Sequence, residues 1–173
     1  MRERILIAGS GGQGIVLIGK FLATMALDRV PCITFFPAYG AEVRGGMSHC
    51  QVILASEEIP TPVAARFDSM LVMTQASAAQ FLPRLEPSGL AVVNASLCQP
   101  AAAAGRVVAV RATETAEALG DVRAANFVML GAFLAARPLV PCAVVEDGIR
   151  THFGQAGLAD LNLRAFQMGG QAT

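Results

Sequence analysis

Apolar residues in this chain fall into short unbroken runs separated by stretches of helical periodicity, and that alternation predicts the architecture. Residues 4–8, RILIA, form a run ending at a glycine, as a strand buried on both faces does. From Gln13 to Leu27 the apolar residues Ile15, Ile18, Leu22, Met25 and Ala26 recur at helical spacing, and 32–36, CITFF, reads as a second strand. The following stretch 36–50, FPAYGAEVRGGMSHC, is glycine-rich and polar and predicts a long loop. Further strands are predicted at 49–56 (HCQVILAS), 69–74 (SMLVMT), 90–94 (LAVVN) and 106–110 (RVVAV). Helices are predicted over 75–85, over 123–136 before Pro138, and near 142–152 and 157–168.

Strand, glycine turn, helix and strand at the N-terminus make a βαβ unit. The continued alternation predicts one α/β domain over 1–173, Rossmann-like and three-layered, with a mostly parallel sheet and helices on both faces. No repeat or linker divides it; the alanine-biased QPAAAAG at 99–105 reads as a surface connection.

Composition narrows the function. Thirteen Lys and Arg balance thirteen Asp and Glu, so no net field draws the chain to nucleic acid or to an acidic membrane surface. Only 15% of residues are charged while 54% are hydrophobic, which predicts apolar surface left over after the core is filled and hence a subunit of an assembly, or a homodimer when isolated. No apolar run approaches the roughly 20 residues of a membrane-spanning helix, and the expected location is the cytoplasm. The four cysteines, Cys32, Cys50, Cys98 and Cys142, lie far apart with no CxxC pair. An iron–sulfur cluster needs closely spaced thiolates and zinc needs more than His49 and His152 could add, so no metal site is expected and the cysteines read as buried free thiols in a reducing cytoplasm. His49, after Ser48 in the strand entering the sheet, reads as packed or hydrogen-bonded, His152 has no nearby acid in a useful register, and Met25, Met70, Met73 and Met129 fall on apolar faces as core filler.

Two glycine-rich segments carry the candidate chemistry. The first places four glycines in six positions, Gly9 to Gly14, between strand and helix. Gly9, Gly11 and Gly14 fit G-x-G-x-x-G, in which glycines permit a tight turn, close approach of a phosphate and close helix packing, with the helix N-terminus facing the anion. A dinucleotide site would add an acid at the end of the second strand, and here that strand ends Phe35, Phe36, Pro37. The spacing alone leaves open a structural turn and an anion cradle. The second segment, YGAEVRGG, Tyr39 to Gly46, sets a phenol, a carboxylate and a guanidinium among glycines. Arg44 beside Gly45 and Gly46 could grip a phosphate or carboxylate bidentately, or pair with Glu42 to fix the loop.

Together these segments resemble the gamma subunit of the 2-oxoacid:ferredoxin oxidoreductases, which act on pyruvate, 2-oxoglutarate, branched-chain 2-oxoacids or indolepyruvate. The resemblance rests on GSGGQGIVLIGKFLA at 9–23, YGAEVRGGMSHCQVILASEEIPTP at 39–62, LGDVRAANFVMLGA at 119–132 and NLRAFQMG at 162–169. It implies an enzyme complex that turns a 2-oxoacid and coenzyme A into acyl-CoA, carbon dioxide and reduced ferredoxin. It further implies that thiamine diphosphate and magnesium sit between alpha and beta subunits, with the iron–sulfur clusters in other subunits, delta included where present. This chain would then bind no cofactor alone, carry no catalytic residue, and act in assembly and in contact with coenzyme A or another anion. The matching positions are Gly9, Gly11, Gly12, Gln13 and Gly14, then Tyr39, Gly40, Glu42, Arg44, Gly45 and Gly46, with Asn126 in the late helix. Ala41 stands where many relatives have proline. The alternative is a stand-alone Rossmann-type nucleotide-binding oxidoreductase.

Overall fold

The first apolar run becomes the central strand β1 (Arg2–Ser10), in which Ile5, Leu6, Ile7 and Ala8 are all buried, as a strand covered on both faces requires. The computed structural model describes residues 1–39, 46–99, 103–154 and 157–172. Beyond β1 the strands are β2 (Cys32–Tyr39), β3 (Met47–Ala55), β4 (Phe67–Val72), β5 (Leu85–Asn94) and β6 (Arg106–Val110). They form one sheet in the order β2-β3-β1-β4-β5-β6. β1, β4, β5 and β6 pair in parallel, while β3 runs antiparallel to both β1 and β2. The sheet is therefore mixed and mostly parallel, as expected.

The helices are α1 (Ile15–Met25), α2 (Gln75–Phe81), α3 (Ala112–Ala118), α4 (Ala125–Ala136), α5 (Cys142–His152) and α6 (Leu158–Gln171). Alternation along β1 sends Ile5 and Ile7 to one face, where they pack with Ile18 and Leu22 of α1, Phe127 and Phe133 of α4 and Phe166 of α6. Leu6 and Ala8 point to the other face, against Ala78 and Phe81 of α2. Met70, Met73 and Met129 are buried, as expected of core filler.

Three details depart from the expectations. The stretch after Phe36 is shorter as a loop than predicted: β2 continues through Pro37 to Tyr39, and β3 begins at Met47. Proline is tolerated there because β2 is the edge strand, where an N–H missing on the open side breaks no ladder bond. The βαβ unit is also not a simple one, because β3 folds back and inserts between β1 and β2. Finally, ATETAEA at 112–118, too polar to show an apolar stripe, forms α3 through burial of Ala112 and Ala116 one turn apart. Part of the alanine-biased stretch 99–105 lies outside the described residues.

Candidate functional site

The turn from β1 into α1 is built from demands that only glycine meets. A Cβ on Gly9 would lie 2.5 Å from Gln13 Oε1 and 2.8 Å from Met73 Cβ. Gly12 and Gly14 have φ of 91° and 71°, the left-handed region, and Gly14 is the residue that caps the start of α1. A Cβ on Gly14 would also collide with the Asn126 side-chain amide. Gln13 closes the turn on itself. Its Oε1 accepts from the Ser10 N–H at 2.8 Å, and its own N–H donates to the Ser10 carbonyl at 3.2 Å.

The two glycine segments meet. The Gly11 N–H donates to the Gly46 carbonyl at 3.0 Å, so the first loop is tied to the residue that leads into β3. The structure thus gathers Gly9, Gly11, Gly12, Gln13, Gly14 and Gly46 in one place, and Tyr39 ends β2 opposite Ser48. Glu42, Arg44 and Gly45, with Gly40 and Ala41, lie outside the described residues.

The surroundings of the loop add residues that sequence reasoning passed over. Asp121 and Arg123 form an ion pair, with Arg123 Nε and Nη2 donating to the carboxylate at 3.0 and 2.6 Å. Hydrogen bonding from Arg123 holds the Asp121 carboxyl down to about 2. The positive charge of Arg123 is accordingly compensated, although the residue lines clefts on both sides of Gly12. Leu17, Leu97, Val122 and Leu158 also line these clefts and are 39–49% exposed, an apolar rim around the glycine loop. Asp121 and Arg123 stand in the matched block LGDVRAANF and Asn162 opens the matched block NLRAFQMG, which were the available signals; Leu158 stood outside any of these blocks.

The topology bears on the dinucleotide alternative. Because β3 separates β1 from β2, the end of β2 lies two strand spacings from β1, roughly 9–10 Å, instead of beside the glycine loop. Neither the sequence at the end of β2 nor its position suits the ribose-binding acid of a nicotinamide site.

Comparison with known proteins gives this site its context. The family model for pyruvate ferredoxin/flavodoxin oxidoreductase matches residues 4–172. This chain belongs to that family. It is of the gamma-subunit type. Over 98% of its length it is 31% identical to the 2-oxoglutarate synthase subunit KorC of Methanothermobacter marburgensis, of which it covers 95%. It is 32% identical to the ketoisovalerate oxidoreductase subunit VorA of Methanothermobacter thermautotrophicus over 97% of its own length, yet spans only 36% of that relative. The solved gamma subunit of a keto/oxoacid ferredoxin oxidoreductase from Geobacter sulfurreducens PCA superposes with a TM-score of 0.84 at 28% identity, covering 98% of this chain and 97% of the other.

A gamma-type chain in a family named for ferredoxin invites the question whether it can ligate a cluster. Its residues do not fit one. The cysteines sit on β2, on β3, after β5 and at the start of α5. Burial pushes the Cys50 thiol up to about 12 and Cys98 up to about 11, away from the thiolate that ligation needs. Cys50 instead donates to the Ile15 carbonyl at 3.5 Å. Among the described residues no group of three or more His, Cys, Asp or Glu is placed to hold a metal ion, and no helix is long and apolar enough to cross a membrane. His49 packs on Phe81 with ring centroids 5.0 Å apart, and burial lowers its pKa. His152 lies edge-on to Phe21 at 5.7 Å with Nδ1 against the Gly148 carbonyl. His49 is half-buried and His152 exposed, each resting against a phenylalanine ring. In the folded chain iodoacetamide is expected to modify exposed Cys142 and to spare Cys50 and Cys98 until denaturant is added, as read by mass spectrometry of tryptic peptides. Labelling of Cys50 as fast as Cys142 would contradict this placement.

Proposed function

We propose that this chain, as a single gamma-type domain, is a subunit of a cytoplasmic thiamine-diphosphate-dependent 2-oxoacid:ferredoxin oxidoreductase. The complex decarboxylates a 2-oxoacid oxidatively, transfers the acyl group to coenzyme A, releases carbon dioxide and reduces ferredoxin. Thiamine diphosphate with magnesium supplies the carbon–carbon cleavage, and iron–sulfur clusters the electron path, from the alpha, beta and, where present, delta subunits. The present chain makes and breaks no bond. It supplies a docking surface and an anion contact.

The observation that carries this reading is the hydrogen bond from Gly11 to Gly46, which fuses the two glycine segments into one surface. It brings Gly9, Gly11, Gly12, Gln13 and Gly14 beside Gly46, and we assign Tyr39, Glu42, Arg44 and Gly45 of the second segment to the same contact. Arg123 is already neutralised by Asp121, so Arg44 is the cation assigned to the incoming phosphate or carboxylate, with Glu42 orienting it. The exposed Leu17, Leu97, Val122 and Leu158 around the loop suit burial against a partner subunit.

Arg44→Ala in the assembled complex is expected to raise the KM for coenzyme A by about tenfold or more, the worth of one charge-assisted hydrogen bond. Subunit stoichiometry and kcat at saturating coenzyme A should hold. An unchanged KM in an intact complex would reduce the chain to a scaffold without anion contact.

A further inference from the structure

The sheet ends in two edge strands of different character. β6 is five residues long and opens with Arg106, whereas β2 runs for eight residues, CITFFPAY, without a charge. Edge strands are ordinarily kept short or carry charges, because their free N–H and C=O groups template the addition of another strand. Pro37 identifies the residues that carry those groups on β2. A proline within a paired strand is accommodated with its nitrogen on the open side. Backbone direction alternates along a strand, so Ile33 and Phe35 share that side, while Cys32, Thr34 and Phe36 bond to β3. Pro31 and Pro37 bracket the two outward N–H groups with positions that have no donor.

This bracket is symmetric about Thr34. Let a second β2 lie antiparallel along the edge with Thr34 opposite Thr34. Ile33 then faces Phe35 of the second copy, and each such pair exchanges both of its backbone hydrogen bonds. Pro31 falls opposite Pro37, where no donor is missed. Moving the axis to Ile33 or to Phe35 instead leaves a carbonyl of the other residue facing a proline. The side chains agree with the first register. Ile33 and Phe35 pack on the α1 face of the sheet and would meet across the strands as an aromatic–β-branched pair. On the other face Thr34 would meet Thr34. Its Oγ1 is buried with no hydrogen-bond partner among the described residues, and threonines directly opposite one another can share a hydroxyl bond. Beside them lies apolar surface to be covered, with Phe36 at 40% and Val63 at 45% exposure. The segment carrying Val63 is held over this face by the Ala64 N–H, which donates at 2.8 Å to Oε1 of Gln51, the β3 partner of Phe36.

We propose that two copies of this chain pair through β2, antiparallel with Thr34 on the two-fold axis, and join their six-stranded sheets into one. The occupant is a second copy because the donors, the prolines and the side chains of this edge complement themselves under a two-fold rotation. The pairing needs neither an anion at the glycine loop nor another subunit.

Sedimentation velocity of the full chain is expected to show a dimer. Thr34→Lys sets like charges directly opposite and should give a monomer at concentrations where the wild type is dimeric, with its circular dichroism retained. The register is read by cross-linking in a Cys32→Ser background, which removes the native thiol of β2. Opposed residues of a non-hydrogen-bonded pair lie about 4.5 Å apart at Cα, within the range of roughly 4.4–6.8 Å that a disulfide spans. Thr34→Cys should therefore link to itself between chains on mild oxidation with copper phenanthroline, as mapped by mass spectrometry. Ile33→Cys, which faces Phe35 of the second copy, should link to itself far less. This comparison holds whether or not the lysine variant folds. The proposal is overturned if the chain sediments as a monomer at every concentration, if folded Thr34→Lys remains a dimer, or if Ile33→Cys cross-links as readily as Thr34→Cys.

Discussion

Arg137→Ala is expected to destabilise the folded chain by about 3–5 kcal/mol. Glu3, near the start of β1, is a buried carboxylate at 5% exposure. Its two oxygens accept from Arg137 Nε and Nη2, each at 2.9 Å, and the Ser69 hydroxyl also donates to it. Arg137 directly follows α4, so this fork ties the end of that helix to the central strand. Removing the guanidinium leaves a carboxylate in the interior with one hydroxyl for company, and the cost is that of an uncompensated buried charge. Against a typical total of about 5–15 kcal/mol, such a loss empties much of the native margin. Glu3→Gln placed on the Arg137→Ala background should recover part of it, because the neutral amide is cheaper to bury. Urea unfolding measures both, and a loss below about 1 kcal/mol in the single variant would show the pair to be as weak as one on the surface.

Gly169→Ala is expected to cost about 2–3 kcal/mol through overpacking. The α4–α6 crossing is a backbone-to-backbone contact. A Cβ on Gly169 would overlap the Val128 carbonyl oxygen and lie 2.7 Å from its carbon, and one on Gly131 would overlap the Phe166 carbonyl in the same way. Backbone cannot rotate aside as a side chain can, so the helices must separate. Gly131→Ala should cost a similar amount, and the double variant less than the sum, because the first substitution already opens the crossing that the second would strain. Thermal unfolding of the two single variants and the double decides this. Full additivity would mean that the two glycines act at independent contacts. The consequence reaches the site, since Asn126 and Asn162 ride on these two helices.

The strands that the sequence announced most plainly are those buried on both faces. RILIA and LAVVN need no partner to be recognised, because a sheet covered by helices on both sides demands unbroken apolar runs. The β2–β3 hairpin was harder. Pro37 reads locally as a break and is harmless only because β2 lies at an edge, a fact about pairing between distant residues. The insertion of β3 beside β1 is equally non-local. At the site, the glycine turn was legible because Gly9 and Gly14 answer local demands of space and φ. The contact between Gly11 and Gly46 was not, nor was the convergence of Asn126 with Asn162, since each joins residues far apart in the chain. Asn162 opens the matched block NLRAFQMG and is a polar residue among Leu161, Leu163 and Ala165 on a helix that buries Ala165 and Phe166.

Purified alone, the chain should be colourless and should reduce no viologen dye when given a 2-oxoacid and coenzyme A. Combined with the thiamine-binding subunits it should enter a stoichiometric complex that does reduce the dye. Substrate-dependent dye reduction by the isolated polypeptide, or a redox cofactor retained in it at one per chain, would contradict the division of labour proposed here.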